Sequence, residues 1–143
     1  MKIAKRFRWE GAHRLPWYDG LCKNLHGHSY TMFVEVEGEP DEHGLLMDFK
    51  DLKMCLSELI DAWDHGTVVD EKDSELLEVM RAKNWKHYVI PFDTTAENMC
   101  IYVAEYLIEH SGPVLRERRI HTVRVRISET ETCYAETERS VKA

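Results

Sequence analysis

The stretch HGHSYTMFVEVE, residues 26–37, contains the clearest secondary-structure signal in the chain. Side chains alternate between the two faces of a β-strand, so a period of two along the sequence predicts a half-buried strand. The two histidines are in phase with the apolar side chains, and a buried imidazole needs a partner to offset its desolvation. The even positions that share this buried face are His26, His28, Tyr30, Met32, Val34 and Val36.

A second strand is predicted upstream, over residues 2–13, where Phe7, Trp9 and His13 fall on odd positions and most charged residues on even ones. Histidines two apart on a strand project from one face, so the nitrogens of His26 and His28 can converge on one ion. His13 could supply a third ligand from the neighbouring strand. Three neutral histidines leave one coordination position open, which is typical of a catalytic rather than a structural zinc.

Other interpretations of the histidine pair remain open at this point. An isolated H-x-H motif is about as compatible with simple packing or capping as with metal binding. Cys22, in the loop four residues before His26, could be a further ligand and close the site. Alternatively, a thiol near a dication has a lowered pKa and can serve as a base or nucleophile. Three imidazoles also suit divalent ions other than zinc.

The rest of the chain predicts helices followed by a second pair of strands. An apolar stripe from Phe49 to Trp63 predicts a helix that Asp48 caps and Gly66 ends. Shorter signals predict a helix after Asp73 and an extended piece over residues 88–91.

A second long helix is predicted to begin at the capping-box sequence TTAE, residues 94–97, and to end at Ser111-Gly112-Pro113. Alternation from Val123 to Glu129 predicts a strand, and residues 132–136 return as its partner. The order strand, strand, helix, helix, strand, strand predicts an α+β fold, with an antiparallel four-stranded sheet and helices packed on one face.

Composition limits the classes of function. The 143 residues suit a single domain, 1–143, with one core. A net charge of -7 argues against a nucleic-acid or membrane binder driven by overall charge. Because no apolar run nears the length of a membrane span and no secretory signal opens the chain, we expect a cytoplasmic protein. Its four scattered cysteines are then expected to stay thiols.

The motif CKNLHGHSY, residues 22–30, resembles the 6-pyruvoyl-tetrahydropterin synthase / 6-carboxytetrahydropterin synthase family. The resemblance extends over nearly the whole chain, through His13 upstream and Asp64-His65, residues 95–98 and Glu129-Thr130 downstream. It implies the tunnelling fold, with subunits in rings, commonly hexamers, and active sites at subunit interfaces. It also implies Zn²⁺ on His13, His26 and His28 and dihydroneopterin triphosphate as substrate.

The resemblance further implies a role for each remaining site residue. Cys22 would be the general base, Asp64 and His65 its relay, and Glu129 the anchor of the pterin ring. The residue pattern itself allows another interpretation of His65. His65 follows a helix, where a cationic imidazole would complement the helix dipole. Glu97 suits a capping box, although Thr95 and its neighbours could also line the pterin pocket.

Glu129 has support of its own from strand phase. It falls on the same face as Val123, Val125 and Ile127, and a buried carboxylate needs hydrogen-bond donors. The guanidine-like edge of a pterin offers two, so a ligand-binding role is physically sensible.

The three-residue gap between Cys22 and His26 resembles the bacterial branch of the family that serves 7-deazaguanine (queuosine) biosynthesis. We therefore expect a lyase that forms 6-carboxytetrahydropterin with loss of acetaldehyde and triphosphate. The alternatives are a pyruvoyl-forming triphosphate eliminase on the same site and a non-catalytic zinc-stabilised assembly module. Lys23 and Arg14, from their loop position, are candidate triphosphate ligands.

Overall fold

Six strands form one sheet in a computed structural model that describes all residues, 1–143. The strands are β1 (Lys2–His13), β2 (His26–Gly38), β3 (Gly66–Asp70), β4 (His87–Ile90), β5 (Ile120–Thr130) and β6 (Cys133–Ser140). Their order across the sheet is β4-β3-β1-β2-β5-β6, and a short 3-10 helix at Leu21–Lys23 lies in the loop between the first two strands. The helices are α1 (Phe49–Trp63), α2 (Ser74–Lys83) and α3 (Ala96–Glu117).

The sheet is mixed, with an antiparallel part and a parallel part. β1, β2, β5 and β6 pair antiparallel in sequence, as the strand patterns predict. β3 and β4 extend the sheet beyond β1 by parallel pairing. The predicted α+β architecture is confirmed, but the count of four strands is wrong. The reason is that β3 is buried along Gly66, Thr67, Val68 and Val69 and therefore has no alternation to detect.

The main core lies between the sheet and helices α1 and α3. Met32, Val34 and Val36 of β2 are fully buried, as are Val123 and Val125 of β5. Burying such a side chain contributes about 1.5–3 kcal/mol. This face of β2 is the one that carries His26 and His28, so the core fixes the direction in which both histidines point.

Helix α2 covers the opposite face of β3. Val68 belongs to the main core, whereas Val69 packs in a separate cluster with Leu76, Leu77 and Met80 of α2. Successive strand residues point to opposite faces, so α2 lies on the other side of the sheet from α1 and α3. The prediction of helices on one face therefore holds for α1 and α3 but not for α2.

Three helix ends differ in detail from the sequence prediction. α1 is capped by Asp48 as predicted, but the left-handed residue after it is His65, with φ 57°, rather than Gly66. α3 is capped by Thr95, whose hydroxyl accepts from the Asn98 N–H, because the Thr94 hydroxyl donates to the Arg14 carbonyl instead.

Helix α3 also continues past its predicted end. It runs through Pro113 to Glu117, and Leu115 in this last part is fully buried. Core packing therefore outweighs the one hydrogen bond that proline removes. None of the helices is long and apolar enough to cross a membrane.

Candidate metal centre

Three histidines converge at one end of the sheet. His13 is the last residue of β1 and pairs directly with His26, the first residue of β2. His28 lies two residues further along the same face of β2. The ligand nitrogens of His13, His26 and His28 all lie within 4.8 Å of one another. The structure thus brings together the three histidines predicted as metal ligands.

Backbone carbonyls orient two of the imidazoles. Nδ1 of His13 donates to the Thr94 carbonyl at 2.6 Å, and Nδ1 of His26 donates to the Asn24 carbonyl at 2.7 Å. A proton fixed on Nδ1 leaves Nε2 with its lone pair free. Ligating histidines in metal sites are held in this way.

Two of the nitrogen atoms that could bind a metal are buried and lack a partner. Nε2 of His13 and Nε2 of His28 have no hydrogen-bond partner, and His13 is only 1% exposed. Burial lowers the pKa of both imidazoles below the ordinary value for histidine, which favours the neutral form that a metal requires. The two unpaired Nε2 atoms, together with the third imidazole close by, fit a divalent transition metal such as zinc.

Gly27 allows the two strands to approach at this point. A β-carbon at Gly27 would lie 3.1 Å from the Gly11 carbonyl oxygen, so a larger residue would press β2 away from β1. The spacing between His13 and the two histidines of β2 therefore depends on a residue without a side chain.

Glu129 faces the same centre from β5. Its carboxylate oxygens lie 3.8 Å from Nε2 of His13 and 3.6 Å from Nε2 of His28. The side chain also borders two cavities. One, of about 410 Å³, lies between the start of α3 and β6 and is lined by Glu97 and Cys133; the other, of about 640 Å³, is lined by Arg6 and Arg8.

Asp64 and His65 form a pair at the end of α1. Nδ1 of His65 lies 3.0 Å from a carboxylate oxygen of Asp64, and the other oxygen accepts the Glu10 N–H at 3.0 Å. The Glu10 amide and His65 hold the pKa of the Asp64 carboxyl below its usual range. The cation at this helix end is Lys86, whose ammonium donates to the carbonyls of Asp61 and Asp64. His65 is thus oriented by a carboxylate and is not needed to complement the helix dipole.

The remaining candidate residues lie around this centre without joining it. Cys22 is half-buried in the 3-10 helix, and its sulfur is not part of the group formed by the three histidines. The Thr95 hydroxyl caps α3. Arg14 donates two hydrogen bonds to the Asp73 carboxylate, so it is already paired, whereas Lys23 is exposed.

Comparison with known proteins identifies the family of the chain. The sequence model of the family described as 6-pyruvoyl tetrahydropterin synthase matches residues 2–140. The chain belongs to this family. It is therefore related to pterin synthases, which are enzymes.

Among curated relatives, the 6-carboxy-5,6,7,8-tetrahydropterin synthase of Haemophilus influenzae is 33% identical, over 94% of this chain and 96% of that protein. The protein of the same name from Aquifex aeolicus is 32% identical, over 94% of this chain and 96% of its own length.

Solved structures of the family have the same fold. A 6-pyruvoyltetrahydropterin synthase structure from Plasmodium vivax superposes with a TM-score of 0.80 at 19% identity, covering 99% of this chain and 98% of that one. The Caenorhabditis elegans 6-pyruvoyl tetrahydropterin synthase gives a TM-score of 0.69 at 27% identity, with 98% and 96% covered. The predicted tunnelling fold is confirmed.

Sequence reasoning missed the groups that orient the site. The carbonyls of Asn24 and Thr94 cannot be found from the pattern of side chains, because the backbone of every residue carries the same carbonyl acceptor. Lys86 was missed because it contacts the end of α1 from a different part of the chain. Arg6 and Arg8 could have been noticed, since both fall on the exposed phase of β1.

Proposed function

We propose that this pterin synthase is a zinc-dependent carbon-carbon lyase. It converts 7,8-dihydroneopterin triphosphate to 6-carboxy-5,6,7,8-tetrahydropterin, acetaldehyde and triphosphate, a reaction of 7-deazaguanine (queuosine) biosynthesis. Relatives named for this product at 32–33% identity over nearly full length support the choice of reaction. The observation that carries it is the convergence of three histidine nitrogens, two of them buried without partners, beside the Glu129 carboxylate.

His13, His26 and His28 would hold the zinc. When bound, the ion supplies Lewis acidity toward the hydroxyl groups of the substrate side chain and acidifies the neighbouring carbons. The protein residues provide the orientation. Since the Thr94 and Asn24 carbonyls fix Nδ1 of His13 and His26, both rings are set before an ion arrives.

Proton transfer is assigned to Cys22, with His65 and Asp64 as its relay. Nδ1 of His65 lies 3.0 Å from the Asp64 carboxylate, and Nε2 of the ring is assigned to take or return a proton. The Glu10 amide fixes the Asp64 carboxylate in turn. This is the order of base and orienting acid found in other proton-transfer sites.

Glu129 is assigned to the pterin ring. Its carboxylate makes no hydrogen bond within the chain and borders the cavity of about 410 Å³. A pterin has an N–H and an amino group side by side, which match the two oxygens of a carboxylate. Thr95, which caps the start of the adjacent helix, is assigned to the same ligand.

The triphosphate is assigned to the cavity of about 640 Å³. Arg6 and Arg8 line it together with the hydroxyl groups of Thr31 and Ser128, and neither arginine is in an ion pair within the chain. Guanidinium and hydroxyl donors suit phosphate oxygens. Arg14 is excluded from this role because Asp73 engages it.

We further propose that the protein works in the cytoplasm as a homo-oligomer, with a hexameric ring as the expected assembly. Its four cysteines are all free thiols, which suits a reducing compartment. The two exposed cavities beside Glu129 suit sites that a neighbouring subunit completes.

One experiment tests the proposed reaction: metal analysis of the purified protein, followed by product analysis after incubation with dihydroneopterin triphosphate. We expect about one zinc per chain, acetaldehyde and a carboxylated pterin. Retention of the three-carbon side chain in the product would show the pyruvoyl-forming reaction instead. A zinc-loaded protein that turns nothing over would indicate the non-catalytic assembly module.

A further inference from the structure

The distance from the Glu129 carboxylate to two of the three histidines is close to the distance between two ligands of the same metal ion. Its oxygens are 3.8 Å and 3.6 Å from Nε2 of His13 and Nε2 of His28, which is too long for a hydrogen bond. In a tetrahedral zinc site, with metal-ligand bonds of about 2.0–2.2 Å, neighbouring ligand atoms are about 3.4 Å apart. The carboxylate and the two nitrogens thus need to move by only a few tenths of an ångström to share one ion.

The atoms on both sides of this gap lack other partners. The two nitrogens are buried and unpaired, and no group of the chain donates a hydrogen bond to the Glu129 carboxylate, whose side chain is 26% exposed. Tyr30, which lies beneath the histidines, also has a buried hydroxyl without a partner, so it does not satisfy the carboxylate. A carboxylate that faces two unprotonated nitrogens is compensated best by a cation between them.

The backbone around Glu129 permits the side chain to move. The pairing of β5 with β6 is irregular between Ile127 and Thr130, so Glu129 is not fixed by a regular ladder on that side. The same carboxylate borders the cavities on either side of it. It can therefore turn from the histidines toward a ligand without breaking the sheet.

We propose that Glu129 is a displaceable fourth ligand of the metal. In the substrate-free protein it closes the coordination position that the three histidines leave open. When a pterin enters, the N–H groups of its ring draw the carboxylate away, and the position opens only with substrate in place. This inference rests on the proposed metal site and adds a second role to a residue assigned there to pterin binding.

Zinc binding and pterin binding should be coupled, because the metal and the pterin ring compete for the Glu129 carboxylate. A pterin without the hydroxylated side chain should weaken zinc binding, and zinc should weaken the binding of that pterin by the same factor. Without Glu129 the coupling disappears.

The test compares the wild-type protein with E129Q, E129D and the matched control E131Q, which removes an exposed charge two residues away. Zinc affinity is measured by competition with a chromogenic chelator, and ligand number by the visible absorption of the Co²⁺-loaded protein. We expect E129Q and E129D to bind zinc at least about tenfold more weakly. We expect E131Q to stay within about twofold of wild type.

The Co²⁺ spectrum separates direct coordination from attraction at a distance. The wild-type spectrum should change toward that of E129Q when unsubstituted pterin is added, whereas the E129Q spectrum should not change. Circular dichroism of the metal-free variants checks that each is folded. The proposal is overturned if E129D, which keeps the charge but shortens the side chain, retains the wild-type affinity and spectrum, or if pterin tightens zinc binding.

The outcome for the wild-type protein distinguishes this inference from the proposed function. If the wild-type protein binds no zinc, both fail together. If it binds zinc and forms the carboxylated pterin while E129Q matches it in affinity and spectrum, only the fourth-ligand role fails.

Discussion

His65 combines an unfavourable backbone conformation with a catalytic assignment. Its φ of 57° lies in the left-handed region, where a residue with a β-carbon costs about 1 kcal/mol or more relative to glycine. Gly66 follows it immediately and begins β3 with an ordinary backbone. This unfavourable conformation occurs at His65, the residue of the turn whose side chain contacts Asp64. Asn84 and Arg119 have similar positive φ values, so this conformation alone assigns no role to the imidazole and its role has to be tested by substitution.

Replacing His65 by glycine should therefore separate activity from stability. We expect H65G to keep the free energy of unfolding within about 1 kcal/mol of wild type, because relief of strain offsets the lost contact with Asp64. The turnover number should fall by about 10²–10⁴. Denaturant unfolding and product formation measure the two quantities.

The matched control is R119G. Arg119 lies between α3 and β5 with φ 57° and does not border the cavity that His65 lines, so glycine relieves the same kind of strain outside the proposed relay. It should raise stability slightly and leave turnover unchanged. If H65G remains active, the relay assigned to His65 is incorrect.

The proposed metal ligands can be tested with a pair of histidine variants. H13A removes a buried nitrogen of the centre, whereas H43A removes an exposed imidazole with no part in it. We expect zinc affinity to fall about hundredfold in H13A, since a zinc-binding free energy of about 10–16 kcal/mol is shared among about four ligands. Chelator competition should show no change for H43A. Equal affinities would remove His13 from the site.

At the scale of elements, an ion pair joins the end of β1 to the start of α2. Arg14 donates from Nε and Nη2 to the two oxygens of Asp73, and the Asp73 carboxylate also caps α2 by accepting the Leu76 N–H. Arg14 follows His13 directly, and its carbonyl accepts from the Thr94 hydroxyl. The pair thus holds the segment from which His13 reaches the metal centre.

The Arg14–Asp73 pair predicts a dependence of stability on pH. The Arg14 guanidinium holds the pKa of Asp73 below its usual range. The stabilisation that the Arg14–Asp73 pair contributes is therefore complete above the unfolded aspartate pKa of about 3.9. It is lost as the pH falls through the lower pKa that Asp73 has in the folded protein. D73N should cost about 2 kcal/mol at pH 7, and the difference from wild type should narrow below about pH 4.

The control for D73N is E75Q. Glu75 lies 3.9 Å from the same arginine, but its side chain is 85% exposed. We expect its removal to change stability by less than about 0.5 kcal/mol. Urea unfolding across the pH range compares the variants, and a difference between wild type and D73N that stays constant below pH 4 would contradict the assignment.

The elements that sequence predicts well are those with one buried face. β2 alternates strictly, so its phase and its histidines follow from the sequence. β3 is buried on both faces and β4 has only His87–Ile90, so neither carries a usable period. α3 passes the proline that should end it because the core holds its last turn. Tertiary packing decided each of these cases, and packing is not visible in a local pattern.

At the scale of the whole molecule, the sheet assembles the site from distant parts of the chain. Strand phase placed His26, His28 and Glu129 on the buried face, and family resemblance named the roles of Cys22 and His65. The contact between Glu129 and the histidines could not be predicted, because it depends on β5 pairing beside β2. The ion pair between Arg14 and Asp73 could not be predicted either, because the two residues are 59 positions apart in the sequence.

Metal binding should stabilise the whole fold. The centre joins β1, β2 and the loop before α3, so an ion bound only by the folded chain raises the free energy of unfolding. At free zinc of about a thousand times the dissociation constant, the gain is about 4 kcal/mol. Thermal unfolding at one protein concentration, with zinc and with a chelator, measures it. H13A should show a far smaller shift than wild type, and an equal shift would place the ion elsewhere.

The packing of Trp9 provides the protein with an optical reporter of its own site. Trp9 is buried and stacks on Tyr30 at 4.9 Å, and the Tyr30 ring lies 5.4 Å from that of His28. Of the four tryptophans, Trp17 and Trp85 are more than half exposed, so a water-soluble quencher such as iodide suppresses their emission first. The light that remains comes from Trp9 and Trp63, 5.5 Å apart. A change in this emission when zinc is added is therefore the expected sign that the histidines are occupied.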